Sequence, residues 1–248
     1  RPKELTRLIN SILDPLTKII LNQNGTIDKY MGDCIMAFWN APVDVPTHVA
    51  EACNSALTMF EKLEELNTEL EQEAVSNNKE FRPLKIGIGL NTGSCCVGNM
   101  GSSQRFDYSI LGDDVNLCSR LEGQSKGYGV DIVISETTKI AAPEFATIEL
   151  DLIQVKGKTV PVRIFALIGN SEVQASEWFK DMSAVHAELI SEYRDQNWAK
   201  AKSLVSKART AAGEKFDGLY DLFDARIEEY KANPPGLDWD GVFVATDK

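Results

Sequence analysis

The sequence predicts an α+β fold followed by an all-helical extension, and three observations predict it. Apolar residues recur at helical spacing in two long segments in the first third of the chain. Short β-prone runs, punctuated by glycine, fill much of the chain up to residue 168. Residues 174–232 then contain no proline and keep a helical period throughout.

Leu5, Leu8, Ile9, Ile12, Leu16, Ile19 and Ile20 trace the first helix, with Pro15 expected to kink it and residues 22–25 to end it. Residues 25–39 read as two β-prone halves around a tight turn at Met31-Gly32-Asp33. Lys29 precedes that turn and Asp33 sits at it, a cation and an anion in an otherwise apolar hairpin. Folding alone needs neither charge there. Ala41-Pro42 and Val45-Pro46 mark a loop, after which Ala52, Cys53, Ala56, Met59, Phe60, Leu63 and Leu66 trace a second helix with an acidic, solvated end.

Leu84, Ile86, Ile88 and Leu90 alternate with Lys85, Gly87 and Gly89, which is the period of a strand. Its two glycines imply close approach of other backbone or of a ligand. A strand is expected over residues 95–98, a Gly/Ser-rich turn over 98–103 and a short strand over 108–111. Asp113 is the expected N-cap of a helix over residues 114–126, with Asn116 and Arg120 four apart on one face. Strands over 131–134, 147–155 and 160–168 follow, the last two joined by the turn Lys156-Gly157-Lys158. Helical blocks over 178–197, 198–212 and 219–230 form the extension, so the expected division is residues 1–170 and 171–248.

The chain has 248 residues, 43% of them hydrophobic, enough for a folded core. A formal charge of −11 argues against a nucleic-acid footprint, and no apolar run approaches the ~20 residues of a membrane span. Opening on Arg1 suggests a piece of a longer protein. Cys34, Cys53, Cys95, Cys96 and Cys118 lack CxxC spacing and lie mostly in apolar runs, so they read as reduced, buried thiols of a cytoplasmic protein. An adjacent Cys95-Cys96 bridge would be strained. His48 and His186 have no partner at ligand spacing, which argues against a histidine metal site.

Three ordered motifs remain: residues 28–33 (DKYMGD), residues 87–93 (GIGLNTG) and residues 108–121 (YSILGDDVNLCSRL). Together they resemble the class III nucleotidyl cyclases, which convert ATP or GTP to a cyclic 3′,5′-monophosphate, over roughly two thirds of the chain. The resemblance implies a ferredoxin-like, antiparallel-rich sheet with helices on one face. It implies that Asp33 is one of two carboxylates holding two Mg²⁺ or Mn²⁺ ions per active site, that Asn116 orients the ribose, and that Arg120 stabilises the pentavalent phosphorus. Lys156 is similar to the family's triphosphate-contacting lysine, with Lys158 the alternative and a solvated turn lysine the bland reading of both.

By the same resemblance Lys29 meets adenine N1 and Ser109 the 6-amino group, where guanylate-selective members place an acid at the lysine position. This favours ATP. A short polar residue at Ser109 also matches a subgroup linked to bicarbonate sensitivity. The family's other metal aspartate lies in a strand upstream of the first helix, and no residue of this chain can be assigned to it. Either the chain begins after that strand, or it is a partner half that has lost one ligand. The expectation is therefore an adenylate cyclase acting as a homodimer with two shared sites. Its rivals are a catalytically silent cyclase-homology module and a guanylate cyclase. The segment over residues 234–243 further resembles the tail of bacterial cyclases that carry an extracytoplasmic sensor.

Overall fold

Apolar periodicity produces eight α-helices and nine strands among the described residues, which are 2–154 and 160–244 of a computed structural model. The helices are α1 (Pro2–Asn22), α2 (His48–Ser76), α3 (Asp113–Tyr128), α4 (Glu136–Ala141), α5 (Ser171–Ala175), α6 (Glu177–Arg194), α7 (Trp198–Ala212) and α8 (Asp217–Ala232). The strands are β1 (Thr26–Met31), β2 (Cys34–Phe38), β3 (Ile88–Leu90), β4 (Cys96–Ser102), β5 (Arg105–Leu111), β6 (Ile132–Ser135), β7 (Ala146–Gln154), β8 (Val162–Gly169) and β9 (Val242–Val244). The fold is mixed α+β with antiparallel-rich sheets, as expected from the sequence. Lys156 and Lys158 lie outside the described residues.

The chain divides into two compact units. One comprises Arg1–Ile86 and Gly93–Val115. Here α1 and α2 pack through Leu16, Ile20, Val49, Cys53, Ala56, Met59 and Leu63, all buried. Each such aliphatic side chain removed from water contributes roughly 1.5–3 kcal/mol. α1 runs through Pro15 and ends where Asn24 turns left-handed at φ 57° and the Gly25 N–H bonds back to Ile20 O at 2.9 Å. Trp39 Nε1 donates to Gln23 O at 2.8 Å, tying the first hairpin to that helix end.

The two hairpins of this unit are β1-β2 and β4-β5, each antiparallel. The Gly/Ser-rich turn expected over residues 98–103 is largely strand instead. Ladder pairing runs from Cys96 opposite Leu111 to Ser102 opposite Arg105, leaving a two-residue turn at Ser103-Gln104. A Cβ at Gly101 would lie 2.2 Å from Arg105 O, so only glycine lets these strands close so near the tip. The buried-thiol reading is also corrected. Cys34 and Cys96 are exposed because a two-stranded hairpin covers little of its own surface; Cys95, just before β4, is exposed too, Cys118 on α3 is partly exposed, and only Cys53 is buried.

The other unit comprises Gly87–Thr92 and Asn116–Lys248. Its five-stranded sheet has the order β3-β6-β8-β7-β9, antiparallel at its two central pairings and parallel at each edge. The strand expected over residues 84–90 is confined to β3. The Asn67 side chain occupies both backbone groups of Leu84, accepting from its N–H at 2.7 Å and donating to its carbonyl at 3.0 Å, so no ladder forms there. Helices α6 to α8 share one core with the sheet: Met182, Leu189, Leu204, Leu219, Phe223 and Ile227 pack with Leu150, Ile153 and Ile164. The tail returns to this unit, Trp239 meeting Tyr193 edge-on at 5.5 Å before β9 pairs with β7.

Two buried polar groups organise this core. Arg226 on α8 donates to Asp151 Oδ2 on β7 at 2.6 Å, and Tyr128 at the end of α3 donates to the same oxygen at 2.7 Å. The Arg226 guanidinium also lies 3.6 Å from the centre of the Phe243 ring. His186 on α6 stands with Nε2 2.6 Å from Glu149 O and Nδ1 3.3 Å from the Tyr220 hydroxyl. A neutral ring serves both contacts, donating to the carbonyl and accepting from the phenol. Burial pushes its pKa below the usual 6.5 despite the Glu149 carbonyl and carboxylate, which pull it up.

Removing one partner of a buried ion pair strands the other charge. Arg226→Met should therefore lower unfolding free energy by about 3–5 kcal/mol in denaturant titrations, with Arg226→Met/Asp151→Leu recovering much of the loss. His186 gains its proton in the unfolded chain before it does in the folded one, so stability should fall as pH drops below 6.5. His186→Gln should flatten that part of a stability profile measured from about pH 7 to 5.5.

Candidate active site

Asp28 and Lys29 are neighbours in sequence, and in a regular strand their side chains would point to opposite faces. A β-bulge changes this. Ile27 pairs with Ala37 and Lys29 with Met36, so Asp28 is the extra residue. Its carboxylate turns to β5, where Oδ2 accepts from Ser109 Oγ at 2.6 Å and from the Ile110 N–H at 3.2 Å. The other oxygen, Oδ1, lies 3.2 Å from Lys29 Nζ, off the hydrogen-bonding directions. The Asp28 side chain is 0% exposed and that of Lys29 44%. A buried anion thus holds a solvent-reaching cation beside a buried serine.

Gly32 has φ 66°, a left-handed conformation that glycine adopts without strain, and it carries the chain around the β1-β2 turn to the exposed Asp33. The Asp33 carboxylate is a hard oxygen donor of the kind Mg²⁺ and Mn²⁺ accept, which fits the expected metals in chemistry. It supplies one ligand. Among the described residues no group of three or more His, Cys, Asp or Glu side chains converges as a metal site.

α3 presents Asn116, exposed, and Arg120, partly exposed, one turn apart, while Leu117 and Leu121 are buried on the adjoining face. Its seat explains the two glycines of residues 87–89. A Cβ at Gly89 would lie 2.4 Å from Glu122 N and 2.5 Å from Cys118 O, and one at Gly87 2.2 Å from Ser125 Oγ. Both glycines admit the α3 helix: Gly89 meets its backbone, one of the two alternatives that the sequence left open, and Gly87 meets the Ser125 side chain. Cys118 Sγ closes the contact on Gly89 O at 3.2 Å.

Asp113 is the first residue of α3 rather than a cap outside it, and Asp113 and Asp114 both occupy the first turn, where acids complement the helix dipole. The surrounding protein and then the Asp114 carboxylate raise the Cys95 thiol pKa, which disfavours a reactive thiolate there.

The structure thus brings Lys29 and Ser109 together through Asp28, and sets Asn116 and Arg120 as a second pair on α3. Sequence reasoning assigned Asp28 no role. Its signal was an acid directly before a lysine inside a strand, which becomes meaningful only with the bulge.

Residues 1–169 match the family model described as the adenylate and guanylate cyclase catalytic domain. Adenylate cyclase 1 of Rhizobium meliloti is 31% identical over 169 residues, covering 68% of this chain and 24% of the relative. Adenylate cyclase of Anabaena cylindrica is 34% identical over 170 residues, covering 66% of this chain and 32% of the relative. The chain thus spans a quarter to a third of the length of these relatives. Among solved structures, the adenylyl cyclase CyaB from P. aeruginosa matches with 32% identity and a TM-score of 0.59, over 68% of this chain and 84% of that one. The guanylyl cyclase Cya2 matches with 32% identity and a TM-score of 0.59, over 69% and 84%. This chain belongs to the adenylate and guanylate cyclase catalytic domain family.

Proposed function

We propose that this chain is the catalytic domain of an adenylate cyclase, converting ATP to 3′,5′-cyclic AMP and pyrophosphate. The observation that carries the choice of ATP is Lys29 held beside Ser109 by Asp28. An ammonium has donors only, so it suits the unprotonated N1 of adenine and opposes the N1–H of guanine. Likeness to solved structures does not choose, since an adenylyl and a guanylyl cyclase match equally well, whereas the relatives from Rhizobium meliloti and Anabaena cylindrica are both adenylate cyclases.

Cyclisation requires the ribose 3′-hydroxyl to be aligned with the α-phosphorus and the growing phosphate charge to be neutralised. Asn116 is proposed to hold the ribose in that alignment. Arg120, always charged and forked, is proposed to meet the pentavalent phosphorus and the departing phosphates. Asp33, with a second aspartate from outside this chain, would hold two Mg²⁺ or Mn²⁺ ions. Such ions lower the pKa of the attacking hydroxyl and screen the triphosphate. Lys156 is proposed to bind the triphosphate, with Lys158 as the alternative.

Two copies of this chain are proposed to share two equivalent sites, metal carboxylates from one copy facing base and phosphate contacts from the other. Val97, Phe106 and Leu111 on β4-β5 and Tyr30 and Met31 on β1 are exposed apolar side chains that support a partner surface, and a second copy is the partner proposed. No helix among the described residues is long and apolar enough to cross a membrane. A cytoplasmic catalytic domain, with an upstream sensor, is the proposed setting.

Incubating the full-length protein with Mn²⁺ and either nucleotide tests the reading. Cyclic AMP is expected from ATP, cyclic GMP from GTP would make it a guanylate cyclase, and neither product would make it a silent module. Asn116→Ala and Arg120→Ala should each lower kcat about 100-fold or more with KM for ATP changed far less, because both act in the transition state. Equal losses in affinity at unchanged kcat would remove those roles. Specific activity should fall on dilution towards nanomolar protein, and constant activity per chain would rule out shared sites.

A further inference from the structure

We infer that Asp28 is the specificity-setting residue of the base subsite, acting through Lys29 and Ser109 to admit a 6-amino purine and reject a 6-oxo purine. This rests on the base-binding reading above and adds to it a residue that would touch no substrate. A serine hydroxyl has one proton and two lone pairs, so alone it accepts from an amino group or donates to a carbonyl with equal ease. Here the choice is made in advance. Ser109 is 4% exposed and gives its proton to Asp28 Oδ2 at 2.6 Å, a charge-assisted bond. Only lone pairs remain for a ligand, which suits the N6 hydrogens of adenine and repels the O6 oxygen of guanine or hypoxanthine.

The second carboxylate oxygen serves Lys29. Oδ1 is buried without a hydrogen-bond partner, and Lys29 Nζ stands 3.2 Å from it. The attraction holds the ammonium on the Ser109 side of the hairpin, where it can donate to an acceptor at N1. One buried anion therefore fixes both polarities, an acceptor for N6 and a donor for N1, in the pattern of adenine. The bulge at Asp28 makes this geometry possible, since a regular strand would send Asp28 and Lys29 to opposite faces.

The test compares kcat/KM for ATP and for inosine triphosphate, whose base has a 6-oxo group and an N1–H but no 2-amino group. In the full-length protein, Asp28→Ala is expected to lower the ATP-to-ITP ratio about 10-fold, because the freed Ser109 hydroxyl can then donate to O6. A general structural defect would lower both rates and leave the ratio in place, which would overturn the inference. Lys29→Ala and Ser109→Ala separate it from the reading beneath it. If these change the ratio and Asp28→Ala does not, Asp28 has no such role. If none of the three changes it, the base subsite lies elsewhere and both readings fall. Should Asp28→Ala not fold, Asp28→Asn takes its place: a neutral amide neither fixes the Ser109 proton nor attracts Lys29, so the ATP-to-ITP ratio is expected to fall, and an unchanged ratio would overturn the inference.

Discussion

Arg226 and Asp151 place opposite charges 2.6 Å apart in the core of the sheet-and-helix unit, and neither can leave without stranding the other. Three elements must therefore meet at one point: α8 through Arg226, β7 through Asp151, and the end of α3 through Tyr128. The burial of Arg226 opposes its charge, and the Asp151 carboxylate together with the Tyr128 and Tyr193 phenols more than offsets that, leaving its pKa raised. The phenol of Tyr128 has its pKa raised by burial and by Asp151, so it stays a donor. Because α3 also carries Asn116 and Arg120, the helical extension is mechanically part of what seats the proposed catalytic helix.

Both buried carboxylates sit at irregularities of a strand. In β7 the register shifts between Glu149 and Asp151, so that Leu150 and Asp151 are both buried in succession. In β1 the shift falls between Ile27 and Lys29, and Asp28 turns onto β5. One bulge aims an acid into the core to fasten elements, and the other aims an acid at the two side chains proposed to meet the base. The device is the same, and its use differs with what lies opposite.

The proposed division between purines then rests on very few atoms. An adenylyl and a guanylyl cyclase structure resemble this chain to the same degree, so backbone shape carries no preference. What can discriminate is the direction of hydrogen bonds at two purine edge positions. A group of fixed polarity discriminates better than an ambivalent one, since the wrong base leaves a polar atom unpaired.

By itself the sequence determined the six longer helices, the positions of most strands, the first hairpin with its turn at Gly32, and the motifs that place the chain in its family, but not the short helices α4 and α5. These are local matters, written in periodicity, turn residues and the order of a few charged side chains. Tertiary structure decided the rest. Gly89 faces the α3 backbone and Gly87 the Ser125 side chain of the same helix, a contact 29 residues away in sequence at Cys118 and Gly89. Asn67 ends a strand pattern by occupying Leu84. Exposure of Cys34 and Cys96 follows from hairpins that cover little of themselves. Asp28 reaches Ser109 across 81 residues through a bulge that no alternation of residue types encodes. Long-range pairing sets register, and register decides which way a side chain points.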